Sequence, residues 1–155
     1  MKNLIKIISL IVISTMFIAC EVEDPFVDRI KSPVLVSLVG SNGIPTTGLA
    51  LDPTISSPYG ETATFSIGVF ELDKTNILDH TKGIDSIPVT SLSLSVKYRE
   101  GNEITNVTTN GSGIAMVQLP WSAFGVSAKG GSVLLSASGS YKNVPFTKFF
   151  RLASN

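Results

Sequence analysis

The sequence predicts an all-β sandwich of about seven to eight short strands. Three observations carry that expectation. After Cys20 no stretch holds helical periodicity for three turns, whereas period-two alternation of apolar and polar residues recurs throughout. The alternating runs are separated by Gly-, Asn- and Pro-rich turn signals. Finally, 43% of the 155 residues are apolar and only 15% are charged, enough to fill one core.

The strands follow in order. Val34 to Val39 lies between Pro33 and the turn Gly40-Ser41-Asn42-Gly43, and Leu49-Ala50-Leu51 is a short second piece before Asp52-Pro53. Thr62 to Leu72 places Ala63, Phe65, Ile67 and Val69 on one face against Thr62, Thr64 and Ser66 on the other. The clearest alternation runs from Leu92 to Arg99, with Leu92, Leu94, Val96 and Tyr98 on the apolar side. Glu100-Gly101-Asn102-Glu103 turns the chain into Ile104 to Thr109, and Asn110-Gly111-Ser112-Gly113 into Ile114 to Leu119, which stops at Pro120. A loop with Trp121 and Phe124 leads through Lys129-Gly130-Gly131 to Ser132 to Ser138. Gly139 to Asn143 then turns into the last strand, Val144 to Leu152, where Pro145 suits a strand start or an edge.

The closing hairpin, Ser132 to Ser138 and then Pro145 to Leu152, resembles the last two strands of bacterial immunoglobulin-like modules. The resemblance implies an immunoglobulin-like antiparallel β-sandwich over residues 33–155, with a jelly roll as the alternative. It departs from antibody domains, since a single cysteine allows no internal disulfide and Trp121 comes too late to be the third-strand tryptophan.

The amino terminus has a different logic. Lys2 and Lys6 precede an apolar run from Ile7 to Ala19, the plan of a secretory signal over residues 1–19. That run is shorter than the about 20 residues a membrane span needs. Phe17-Ile18-Ala19-Cys20 resembles the lipobox of bacterial lipoproteins, with Phe17 and Ile18 looser than the usual Leu and small residue. By that resemblance Cys20 is lipidated and anchors the chain to a membrane, several acyl chains giving stable attachment where one is marginal. Glu21-Val22-Glu23-Asp24 is similar to the acidic export signal of Bacteroidetes-type lipoproteins, which implies an outer-membrane, cell-surface location, the periplasmic face being the alternative. Residues 20–32 read as an acidic tether. Lys plus Arg and Asp plus Glu each number 12. Loss of Lys2 and Lys6 with the leader makes the remainder weakly acidic, which argues against a nucleic-acid partner.

Candidate sites are few. The polar segment from Glu71 to Asp85 offers Asp73, Asn76, Asp79 and Asp85 as oxygen ligands for calcium, but in no EF-hand spacing and beside Lys74 and Lys82, so a solvated loop is expected and no metal or other cofactor. His80 is the only imidazole; with Asp79 or Asp85 it is the sole base for a triad, and no Gly-x-Ser-x-Gly elbow accompanies it. Glu61, Glu71, Glu100 and Glu103 are the carboxylates open to glycoside hydrolysis, yet all fall at strand ends or turns. The expectation is a non-catalytic protein. Trp121 and Phe124 form either a platform for stacking on a glycan or, the commoner use, a plug for the open end of the sandwich. Asp85-Ser86-Ile87 resembles the O-glycosylation triplet of Bacteroidetes, with Ser86 the acceptor. The expected role is a binding or accessory module for a glycan or envelope protein, with an adhesion spacer and a small hydrolase as alternatives.

Overall fold

The computed structural model describes residues 32–48, 51–60 and 62–155. The leader, Cys20, the tether up to Lys31, Leu49, Ala50 and Glu61 lie outside the described residues. The described residues form ten strands and one short 3-10 helix: β1 (Leu35–Val39), β2 (Pro45–Thr46), β3 (Thr54–Ser57), β4 (Thr62–Asp73), β5 (Asp85–Pro88), β6 (Ser93–Tyr98), β7 (Glu103–Thr108), β8 (Ile114–Pro120), the helix Trp121–Phe124, β9 (Ser132–Tyr141) and β10 (Val144–Ser154). They form two five-stranded sheets. The first has the order β2-β1-β4-β5 with β8 also on β4, and the second the order β3-β10-β9-β6-β7. Pairing is antiparallel except between β3 and β10.

This is an immunoglobulin-like β-sandwich. The run β1-β4-β8 takes the places of strands A, B and E, and β6, β9 and β10 those of C, F and G, with β7 beside β6. That pairing answers the choice against a jelly roll.

The longest strand in the fold, β4, organises the first sheet. Ala63, Phe65, Ile67 and Val69 point into the core, as the alternation predicts. On one edge β4 pairs with β1 over Ser66 to Phe70, and on the other with β8 from Thr62 to Gly68 and then β5 from Phe70 to Asp73. The handover occurs at Val69, whose N–H donates to the Gly113 carbonyl (2.8 Å) and whose carbonyl accepts from the Val89 N–H (3.0 Å). Facing β4 across the core are Leu94, Val96, Leu135, Phe150 and Leu152, with the Phe65 ring edge-on to Phe150 at 5.7 Å between centroids.

Three departures from the sequence reading have clear causes. β2, β3 and β5 are short and carry or adjoin Pro45, Pro53, Pro58 and Pro88, so no alternation marks them; only their partners hold them extended. Leu51, expected in a strand, is an exposed bend. In the closing hairpin, β9 runs on to Tyr141 rather than ending at Ser138. The turn is the pair Lys142-Asn143, with φ of 50° and 64°, the positive values that a two-residue type I′ hairpin demands. Gly139 thus stays in the strand, where a Cβ would come within 2.9 Å of Phe146 Cζ and 3.0 Å of Leu94 Cδ2.

The chain crosses between sheets after β2. Lys148, on the inward side of β10, donates from its Nζ to the carbonyls of Thr47 and Gly48, which ties that crossing to the second sheet. Pro145 lies where β10 pairs with β9 alone, because β3 reaches only Arg151 to Ser154. Its missing N–H would have faced outward there, so the ladder loses nothing.

Candidate functional site

Trp121 and Phe124 close one end of the sandwich. Pro120 ends β8, and the four residues Trp121–Phe124 turn as a 3-10 helix that stops at Gly125, whose φ of 68° suits a residue without Cβ. The turn drops both rings inward: Trp121 is 2% exposed and Phe124 1%. The Trp121 indole N–H donates to the Pro58 carbonyl (3.1 Å), Phe124 packs on Phe65 at 6.0 Å, and the Tyr98 hydroxyl donates to the Ala123 carbonyl (2.9 Å). Neither ring offers a face to a sugar. Of the two uses open to Trp121 and Phe124, both rings take the plug and neither the glycan platform, because the open end of the core supplies the larger apolar area to bury.

The polar segment is shorter than the sequence suggested, since β4 extends to Asp73 and β5 begins at Asp85, directly opposite it. Ser86 accordingly sits in an exposed edge strand, paired with Leu72, and not in a loop. The loop carboxylates serve their own turns. Asp73 accepts from the N–H (2.9 Å) and Oγ1 of Thr75, and Asp79 from the N–H (3.0 Å) and Oγ1 of Thr81. These donors hold both carboxyls below their ordinary range. The Lys82 ammonium stands 3.8 Å from Asp79. Asp73, Asn76, Asp79 and Asp85 do not close around a common point, and among the described residues no three His, Cys, Asp or Glu side chains gather in metal-binding fashion. His80 is exposed in this loop, and its neighbour Asp79 is committed to Thr81 and Lys82 rather than to the imidazole.

Of the remaining carboxylates, Glu100 and Glu103 lie at the β6–β7 turn of the second sheet and Glu71 on the first. Glu103 accepts from Ser95 Oγ and Asn106 Nδ2 on the second sheet. Glu71 ties the two sheets together: it accepts from the Tyr141 hydroxyl (2.7 Å) and from Lys142 Nζ (2.5 Å) at the tip of the closing hairpin. Beside it, a cleft of about 290 Å³ is lined by Ser32, Pro33, Val34, Leu35, Leu72 and Lys74, where the chain enters the domain. The Lys142 hydrogen bond first, then that of Tyr141, holds the Glu71 carboxyl below its ordinary value. A depressed carboxyl contributes stability above its unfolded pKa and loses it as pH falls through the folded one. Acidification below the usual carboxylate range is therefore expected to loosen the hairpin tip, read as a lower amide-exchange protection factor, corrected for the intrinsic pH dependence, at the last rung, Tyr141 and Val144. Glu71→Gln should abolish that pH dependence while leaving exchange in the core unchanged; a variant retaining it would refute the assignment.

The outer face of the second sheet holds a surface not foreseen from sequence. Phe149 is 38% exposed there, opposite Ser136 in register, with Thr147 and Ser138 in the next row. The Arg99 guanidinium lies 4.7 Å from the ring centroid and forms an ion pair with Asp52. Lys97 flanks Ser136 on the other side, and Arg151 donates to Ser132 Oγ (3.0 Å). An aromatic ring amid hydroxyls and cations suits a polar partner with some apolar surface. The signal was present in Phe149-Phe150, since adjacent residues of a strand face opposite ways and only one of the two rings fits the core.

No family model matches the chain, and neither the curated proteins nor the solved structures contain a significant match to it. No helix among the described residues is long and apolar enough to cross a membrane.

Proposed function

We propose that this chain is a lipid-anchored protein of a bacterial outer membrane that works by binding rather than by catalysis. The observation that carries the reading is the single cysteine placed directly after a basic and apolar leader, Phe17-Ile18-Ala19-Cys20. With no other thiol in the chain Cys20 has no internal disulfide to form, and the position suits acylation. Glu21-Val22-Glu23-Asp24 favours transfer to the cell surface, and Ser32 marks where the tether meets the domain.

β1 starts beside Phe70, at the end of the sandwich that carries the Glu71 cluster, and Trp121 plugs the opposite end. On this reading the flank of the sandwich, with Phe149 and its hydroxyl-rich surroundings, is the surface presented to a glycan or an envelope protein. Glu71 and Glu103 lie on different sheets, each held by its own donors, which favours a binding role over hydrolysis.

The test is metabolic labelling with an alkyne fatty acid in a Bacteroidetes host. The wild-type chain is expected to take up label and partition into detergent; Cys20→Ser is expected to lose the label completely. Absence of label on the wild-type protein, or its persistence in Cys20→Ser, would overturn the anchor.

A further inference from the structure

Along one flank of the sandwich, β8 ends the first sheet and β7 the second, with no strand beyond either among the described residues. An outer strand exposes unpaired backbone groups, and proteins usually guard it with prolines, charges or bulges. Here β2 contains Pro45, β3 lies between Pro53 and Pro58, β5 contains Asp85 and Pro88, and β7 carries Glu103 beside a bulge at Val96/Lys97. By contrast β8 reads Ile-Ala-Met-Val-Gln-Leu-Pro, with no charge before its final proline.

The backbone groups it leaves open can be assigned. The Gly113 carbonyl accepts from Val69, so by ladder alternation Ala115, Val117 and Leu119 bond toward β4. Ile114, Met116 and Gln118 turn their N–H and C=O to the flank. Ile114 is already satisfied by the preceding turn: its carbonyl accepts from the Asn110 N–H (2.9 Å) and its N–H donates to Asn110 Oδ1 (3.1 Å). Pro120 has no N–H. Among the described residues, no partner meets the flank-facing groups of Met116 and Gln118. Next to them the outer face is apolar, with Met116 63% exposed and a trough of about 250 Å³ bounded by Val39, Pro45, Phe70 and Ile114 over Gly68.

We propose that β8 pairs antiparallel with β8 of a second copy of this chain, Met116 opposite Gln118 of the other copy and the two-fold axis at Val117. The second copy is the occupant because β8 is complementary to itself in this register alone. It matches every free N–H to a free C=O, and sets Ile114, already bonded, against Pro120, which cannot donate. A register centred on Met116 would waste Gln118 on Ile114. The absence of charge removes the like-charge repulsion that a two-fold strand contact otherwise risks, and the symmetry makes the contact a closed dimer rather than a fibre.

Sedimentation equilibrium on the chain from Glu21 onward tests this, since every core residue among the described ones lies at Val34 or beyond. The expected result is a reversible dimer. Gln118→Pro removes an N–H that the monomer does not use, and proline is tolerated on a free edge. It is expected to weaken the dimer at least about tenfold while leaving the near-ultraviolet circular dichroism unchanged. Met116→Lys, which guards the edge with a charge, should do the same. A wild-type chain that stays monomeric up to about 1 mM, or a dimer equally strong in a folded variant of either kind, overturns the proposal.

Discussion

Trp121→Ala is expected to destabilise the domain by about 3–5 kcal/mol, the usual cost of deleting a buried aromatic. The indole fills the end of the sandwich between Tyr59 and Phe124, at centroid distances of 6.2 Å and 6.4 Å. Removing it leaves a cavity where two sheets meet a single helical turn, and it also strips the Pro58 carbonyl of its donor. For a domain of this size the loss corresponds to roughly 10–25 °C in Tm. Thermal denaturation followed by circular dichroism reads the effect. Phe149→Ala is the counterpart: that ring is part-exposed on the outer face, so truncation is expected to cost about 1 kcal/mol or less and to act on partner binding instead. Equal destabilisation by the two substitutions would contradict the division between plug and surface.

Gly113→Val is expected to cost about 3 kcal/mol or more. Gly113 has a φ of 72°, where a β-branched side chain is strained. A Cβ there would also stand 2.7 Å from the Val69 carbonyl and 3.1 Å from Pro88. The position cannot relax outward, because the Gly113 carbonyl is itself the acceptor that aligns β8 with β4 just where β5 takes over. Gly111→Val, two residues earlier, meets nothing within 4 Å and is expected to change stability within about 0.5 kcal/mol. Urea denaturation of the pair separates them; similar midpoints would show that the handover at Val69 tolerates displacement.

That pair also illustrates what local sequence can and cannot indicate. Asn110-Gly111 announces a turn, and the turn is there: Asn110 Oδ1 accepts from the Ser112 and Ile114 N–H groups. Which glycine is indispensable depends on Val69 and Pro88, which are distant in sequence. The same holds along the strands. Alternation in Thr62 to Leu72 and in Leu92 to Arg99 identified Phe65, Ile67, Leu94 and Val96 as core without reference to any partner. β3 has no such pattern, and is extended because β10 offers it Arg151 to Ser154 in parallel. For candidate sites the balance tips further. Trp121 was recognisable as a loop-borne aromatic, but its fate was set by the Pro58 carbonyl and by Phe65. Glu71 stood out only as one acid among several until Tyr141 and Lys142 came to it across 70 and 71 residues of chain.

Local sequence was enough for the all-β class and most strand positions, because each follows from neighbours within a few residues: side-chain alternation and turn chemistry. Tertiary structure alone decided which end of the sandwich Trp121 plugs, which of Phe149 and Phe150 faces out, and which edge is left free. Those outcomes are contests for burial and backbone pairing among residues far apart in sequence. A ring or an N–H is buried or exposed only once the opposite sheet has claimed its own space.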